Sequence, residues 1–276
     1  MTFDVIHIDE VVSTNSYLLQ RDTASLCSDD KASTLPTNPI VLVAEHQTGG
    51  RGCGTNSWES ERGKNLLFSV RLHPENVPAS CQFILSMANA LALFETLEAL
   101  TSTLSPQPSA LSIKWPNDIY WNGRKIAGTL IETTLSGSSI KTCVIGTGLN
   151  VNQTVFHSDA PNPVSLRQIL GHDVDRQEVL RKLLDSLSKY LHLVNVGGLE
   201  MSQGVGNNGS GAWEAIRTAY RSRLYRLHET ALYRFTDGTE AYCKLLNVTD
   251  DGHLQLLRDN GNLLSLAFKE VQFVLL

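Results

Sequence analysis

The spacing of apolar residues changes along the chain and marks out its elements. Residues 5–8 and 40–44 are short, β-branched runs that read as strands; the second empties into Glu45-His46-Gln47-Thr48-Gly49-Gly50-Arg51-Gly52. Between them, Ser13-Thr14-Asn15 offers side-chain oxygens at the start of a helix carrying Tyr17, Leu18 and Leu19, and residues 23–39, rich in Ser, Thr, Asp and Pro, read as a surface loop. Residues 65–72 predict a further strand. Residues 80–100 predict a helix, because Ile84, Met87, Ala88, Leu91, Phe94 and Leu97 recur at helical spacing.

Residues 112–114, 125–132 and 141–145 read as sheet strands separated by turns. Asp175 and Glu178 have the spacing of a capping box, opening a helix in which Val179, Leu180, Leu183, Leu184, Leu187 and Leu191 share one stripe. Residues 197–211, dense in Gly, Ser and Asn, read as a loop, followed by a helix over 212–225. After Leu227 the period shortens to alternation, with turn signals at Asp237-Gly238, Asp251-Gly252 and Asn260-Gly261. The chain thus predicts an α+β domain with a mixed sheet over residues 1–227 and a small β-barrel over 228–276, without internal repeats.

Composition narrows the function classes. With 276 residues, 42% hydrophobic and 18% charged, the chain can bury one sizeable core and a small second one. A net charge of −5, without a run of basic residues, argues against a dedicated nucleic-acid partner. The first twenty residues lack a basic start followed by an apolar run, and no stretch reads as the roughly 18 uninterrupted apolar residues of a membrane span. Cys27, Cys53, Cys81, Cys143 and Cys243 are scattered without Cys-x-x-Cys spacing, which fits a reducing, cytoplasmic setting. The eight histidines are dispersed, against a zinc site.

Four segments carry candidate chemistry. Gly49-Gly50-Arg51-Gly52 is either a tight turn with a surface arginine or a loop whose N–H groups and guanidinium meet an anion; its spacing matches neither a P-loop nor a dinucleotide fingerprint. Lys114-Trp115-Pro116-Asn117-Asp118 joins an aromatic, a proline-fixed turn, an amide and a carboxylate, and Asn117-Asp118 alone is compatible with a plain turn. In Gly123-Arg124-Lys125-Ile126-Ala127-Gly128, Lys125 starts an apolar strand whose Gly128 leaves room for a ligand against the sheet. Gly146-Thr147-Gly148-Leu149-Asn150-Val151-Asn152 follows an apolar strand and reads either as a glycine-rich turn or as part of the same site.

In order and spacing these segments resemble the biotin protein ligase family, also called biotin–acetyl-CoA-carboxylase ligases. Ser13-Thr14-Asn15 is similar to its entry motif, Gln47 through Gly52 with Trp58 to its Gly-Arg-Gly loop, and Lys114 to Asp118 with Arg124 to Gly128 to its central signature. The resemblance covers nearly the whole chain, the final barrel resembling an SH3-like domain. It implies that biotin's carboxylate attacks the α-phosphorus of MgATP, giving biotinyl-5′-AMP and pyrophosphate, after which a lysine of a biotin carboxyl carrier protein or domain attacks the activated carbonyl.

It also implies residue roles: Lys125, Arg51 and Asp118 at the chemistry; Ser13, Thr14, Asn15, Gln47, Gly50, Arg51, Gly52, Cys53, Lys125, Gly128 and Leu130 around biotin; Arg51, Trp58, Asn117, Asp118, Lys125 and Asn150 around ATP. Trp58 reads as either an adenine platform or a core aromatic. Mg2+ is expected to be held mainly by phosphates and water, with Asp118 nearby. The loop departs from the family pattern, reading Cys53-Gly54-Thr55-Asn56-Ser57 where relatives commonly carry more arginines. The chain begins at the catalytic domain, from which an enzyme without operator binding is expected; homodimerisation through a sheet edge is left open. The rival readings are a lipoate or octanoate ligase or transferase, and a non-catalytic biotin-binding module.

Overall fold

The computed structural model describes residues 1–20, 38–102, 110–158, 162–203 and 211–275. Cys27, the greater part of the 23–39 loop and the centre of the 197–211 segment lie outside them. The first strand, β1 (Asp4–Val11), leads through helix α1 (Thr14–Gln20) to β2 (Ile40–Gln47) and β3 (Leu66–Leu72). Helix α2 (Phe83–Thr101) precedes β4 (Leu111–Lys114), β5 (Asp118–Trp121), β6 (Arg124–Ser136) and β7 (Ser139–Leu149). These strands make one seven-stranded sheet in the order β1-β2-β3-β7-β6-β5-β4, parallel between β1 and β2 and antiparallel elsewhere.

Helices α3 (Leu166–Leu170), α4 (Arg176–Ser202) and α5 (Gly211–Arg221) follow. Beyond them β8 (Thr230–Phe235), β9 (Glu240–Val248), β10 (Leu254–Arg258), β11 (Leu263–Leu266) and β12 (Val271–Phe273) form an antiparallel five-stranded sheet in the order β11-β10-β9-β8-β12, consistent with the SH3-like domain expected there. All three turn glycines expected there, Gly238, Gly252 and Gly261, take left-handed φ.

Strand alternation sends Val41 and Val43 of β2 into the main core under α2, α4 and α5, while Ile40 and Leu42 pack beneath α1 on the opposite face. The main core runs on through Trp213 into Tyr233, Leu245 and Leu256 of the small sheet. The predicted stripes of α2 and α4 are buried throughout. Ala79–Thr101 is long and apolar enough to cross a membrane, contrary to the sequence reading, but 78% of its most apolar window is buried inside the protein, as befits a core helix.

Other expectations are corrected. Gly197 and Gly198 do not leave the helix: α4 continues to Ser202, because a Cβ on Gly197 would lie 2.0 Å from Trp213 and one on Gly198 2.7 Å from the Asn76 carbonyl oxygen. Glycine there permits close packing. Asp175 caps α4 by accepting from the Gln177 N–H; the reciprocal box is formed instead by Ser165 and Gln168 on α3, an element the sequence reading lacked. β5 was also unforeseen: residues 115–117 make the turn that Asn117 suits, Asp118 already begins a short strand, and Gly146-Thr147-Gly148 continues β7.

Candidate functional site

On the sheet face opposite α2 and α4, a cleft of about 660 Å³ opens between α1, the loop after β2, the β5–β6 hairpin, β7 and the segment around β12. The helix start supplies its polar floor. Gln47 Oε1 accepts from the Thr14 N–H at 2.8 Å and from the Thr14 hydroxyl at 3.1 Å. Asn15 Nδ2 donates to the Leu130 carbonyl at 3.1 Å and to Glu132 at 2.9 Å, while the Ser69 hydroxyl lies 2.6 Å from Asn15 Oδ1 and 2.7 Å from Thr14 Oγ1. Ser13, Thr14 and Asn15 are each 3% exposed, so their orientation is fixed by packing as well as by hydrogen bonds.

The glycine loop is a small hairpin. Trp58 N–H donates to the Gly50 carbonyl at 2.9 Å, Arg51 bridges Ser57, and Gly52 N–H donates to the Asn56 carbonyl at 2.7 Å. Gly50 must lack a side chain, since a Cβ there would lie 2.5 Å from the Trp58 carbonyl oxygen. Arg51 reaches Glu132 at 2.6 Å, tying the hairpin to the carboxylate that also holds Asn15. Trp58 lies flat over the two glycine strands: a Cβ on Gly148 would meet it at 2.2 Å and one on Gly128 at 2.8 Å. Its Nε1 and the Thr147 hydroxyl are buried without a hydrogen-bond partner, unspent polar capacity beside the cleft.

A β-bulge aims the central cation. Ile119 pairs with Ala127 but Tyr120 pairs with Lys125, so β6 carries one extra residue there. The bulge brings Lys125 to the same side as Gly128 despite their odd spacing, and Lys125 Nζ lies 2.6 Å from Asp118 Oδ2 and 5.7 Å from the Trp58 ring centroid. Lys114 sits against the Tyr120 and Phe273 rings; burial, with Lys125 and Arg226 adding to it against the pull of Asp118, lowers its ammonium pKa. Burial and then Asp118 raise the Tyr120 phenol. Asn117 donates to the Ser86 hydroxyl at 3.0 Å, and Trp115, before a cis Pro116, donates to the Gly252 carbonyl at 2.9 Å.

The cleft brings together Ser13, Thr14, Asn15, Gln47, Arg51, Gly52, Cys53, Trp58, Asn117, Asp118, Lys125, Gly128 and Leu130. Gly50 and Asn150 are not among its lining residues; Asn150 is buried and donates to the Val164 carbonyl at 3.1 Å. Sequence reasoning missed Glu132, although its alternation with Gly128 and Leu130 along β6 was a usable signal. It also missed Phe268, Lys269 and Phe273, which reach the cleft from the C-terminal sheet and carry no local signal. Among the described residues four cations line the cleft, Arg51, Lys114, Lys125 and Lys269, against one carboxylate side chain, Asp118, in a chain whose net charge is −5. Such a cleft concentrates anions.

Residues 17–150 match the model of the biotin/lipoate A/B protein ligase family. The chain is 30% identical over 221 residues to the biotin–acetyl-CoA-carboxylase ligase of Paracoccus denitrificans, covering 78% of this chain and 82% of that one. It is 33% identical over 226 residues to the bifunctional ligase/repressor BirA of Bacillus spizizenii, and the match takes in 80% of this chain but 62% of that longer relative. Its fold matches a biotin protein ligase from Aquifex aeolicus, solved in complex with biotin and ATP, with a TM-score of 0.71 and 26% identity over 98% of this chain and 99% of that one.

Proposed function

The chain belongs to the biotin protein ligases of the biotin/lipoate A/B protein ligase family, and from that premise we propose that it joins biotin to a lysine of a biotin carboxyl carrier protein or domain at the expense of ATP. One observation carries the proposal: a cationic cleft in an acidic protein, with Lys125 aimed by the bulge over the bare backbone of Gly128. Two anions, a carboxylate and a triphosphate, must be brought together there, which needs fixed positive charge away from bulk water.

The carboxylate oxygen of biotin bonds to the α-phosphorus as the bond to pyrophosphate breaks. The acceptor amine then bonds to the activated carbonyl, and AMP leaves with the electron pair of the cleaved bond. In this reading Lys125 and Arg51 hold the meeting anions, and Ser13, Thr14, Asn15 and Gln47 supply the polar contacts for biotin, whose apolar ring lies by Gly128 and Leu130. Gly52 and Cys53 edge the same side. Trp58, Asn117 and Asp118 serve the nucleotide.

Among the described residues no group of three His, Cys, Asp or Glu side chains stands ready to hold a metal. Mg2+ carried on the triphosphate would neutralise phosphate charge there, and Asp118, which lines the cleft, is the carboxylate that would neighbour it.

Biotin-dependent exchange of labelled pyrophosphate into ATP tests the proposal. Exchange with biotin and little with lipoate or octanoate is expected. Exchange with lipoate alone would replace biotin by another acyl substrate, and biotin binding without exchange would reduce the protein to a binding module.

A further inference from the structure

Helix α2 is apolar and buried along most of its length, yet it carries Ser86 and Asn89, both buried and one turn apart on the same side. Neither lines the cleft. Both reach, from the core side of the sheet, the hairpin that carries Asp118 and Lys125. The Ser86 hydroxyl accepts from Asn117 Nδ2 at 3.0 Å, and Asn117 immediately precedes Asp118. Asn89 Nδ2 donates to Thr129 Oγ1 at 3.1 Å, and Thr129 immediately follows Gly128, against which Lys125 lies.

The two contacts hold the open end of the hairpin at one level. Counted outward from the Ile119–Ala127 pair, Asn117 and Thr129 stand two positions on in their respective strands, beyond the bulge that aims Lys125. Sliding β6 by one residue would relieve that bulge, and it would also turn the Thr129 hydroxyl to the other face, away from Asn89. Tyr220 of α5 donates to the Pro116 carbonyl at 2.7 Å, so the backbone of the turn has its own support and the Ser86 contact bears on the Asn117 amide.

Stability does not account for Asn89. Its Oδ1 is buried without a hydrogen-bond partner, a cost that leucine, branched at the same carbon and wholly apolar, would not carry.

We propose that Ser86 and Asn89 are positioning residues of the cleft, Ser86 acting through Asn117 and Asn89 through Thr129 to hold Asp118 and Lys125 in the register that binds the nucleotide. The proposal rests on the ligase reading for the identity of that ligand and on the hydrogen bonds for the path.

Calorimetric titration of the magnesium complex of β,γ-imido-ATP tests it. The proteins are the wild type, Ser86→Ala, Asn89→Leu, Asn117→Ala, Thr129→Val and the two double variants that pair each α2 residue with its partner, with thermal unfolding of each alongside. Nucleotide affinity is expected to fall about tenfold in Ser86→Ala and in Asn89→Leu, as when one orienting hydrogen bond is lost. Asn89→Leu should nevertheless unfold at the same temperature or a higher one. Ser86→Ala should add nothing once residue 117 is alanine, nor Asn89→Leu once residue 129 is valine, because each acts through that partner. Thr96→Val removes another buried α2 hydroxyl, one bonded to the Ala92 carbonyl within the helix, and should leave the affinity unchanged.

Wild-type affinity in Ser86→Ala or Asn89→Leu, additive losses in either double variant, equal weakening by Thr96→Val, or no nucleotide binding by the wild type overturns the proposal. If the losses follow the expected pattern while biotin drives no pyrophosphate exchange in the wild type, the positioning role stands and the ligase reading falls. If exchange runs in the wild type and nucleotide affinity is unaltered in both α2 variants, the ligase reading stands and the positioning role falls.

Discussion

Lys125 and Asp118 meet at 2.6 Å across a hairpin whose register is shifted by one residue. The carboxylate fixes the ammonium without covering it, since both side chains are partly exposed to the cleft. A cation so placed is preorganised for charge that develops at the reacting phosphate.

Removing it therefore costs rate more than stability. Lys125→Ala is expected to lower pyrophosphate release in the presence of biotin by at least about a hundredfold, as is usual when a preorganised charge partner of a transition state is deleted. The unfolding midpoint should change little, because the pair is partly exposed to the cleft and solvent screening leaves it only weakly stabilising. Stopped-flow pyrophosphate release and thermal unfolding of the same variant check both halves.

Trp58 and Gly148 give a steric prediction. A Cβ on Gly148 would lie 2.2 Å from Trp58 Cε2, so Gly148→Ala must displace the indole or the strand. A destabilisation of about 1–3 kcal/mol is expected, as for overpacking elsewhere. Gly211→Ala meets nothing within 4 Å and should be nearly neutral. Denaturant unfolding of the two variants, with Trp58→Phe in the Gly148→Ala background restoring part of the loss, is the check.

Much of the fold was legible because it rests on period. The stripes of α2 and α4 and the alternation of β2 follow from which residues must be hidden, and that is written locally. β5 was not legible, being four residues long and starting at a pair that also suits a turn. The continuation of α4 through Gly197 was hidden because it depends on Trp213, sixteen positions further along the chain. In the site, the glycines and Lys125 were legible as types. The bulge that aims Lys125, and the arrival of Lys269 from the second sheet, are long-range facts with no local trace.

The thiols separate by burial. Cys143 lies in the core and burial pushes its pKa up to about 12, so it is protonated and inaccessible at neutral pH. Cys243 is likewise buried and raised, whereas Cys53 and Cys81 are partly exposed. Iodoacetamide on the folded protein should modify Cys53 and Cys81 and spare Cys143 and Cys243, and biotin with ATP should protect Cys53 but not Cys81, since Cys53 lines the cleft. Peptide mapping reads all four; labelling of Cys143 without unfolding would contradict the burial argument.

Glu59 makes stability depend on acid pH. Burial pulls its carboxyl upward, but the His157 and Ser158 N–H groups, donating at 2.9 and 2.6 Å, outweigh that and lower its pKa in the folded state below the ordinary 4.5. Its contribution is then fully present above about pH 4.5 and is lost as pH falls through the lower folded value. The gap in unfolding midpoint between wild type and Glu59→Gln should be constant near neutrality and shrink on acidification below pH 4.5. An equal gap at both ends of the titration would remove this account of the clamp.

The central claim is that this cleft activates biotin and delivers it to a carrier lysine. The most direct test is intact-mass analysis of a biotin carboxyl carrier domain incubated with the protein, biotin and MgATP, beside Lys125→Ala and a lipoate control. The predicted result is one biotinyl group on one lysine, formed by the wild type and nearly absent with Lys125→Ala or lipoate. Stoichiometric modification by the Lys125→Ala protein, or an acceptor that gains lipoyl and not biotinyl groups, would contradict it.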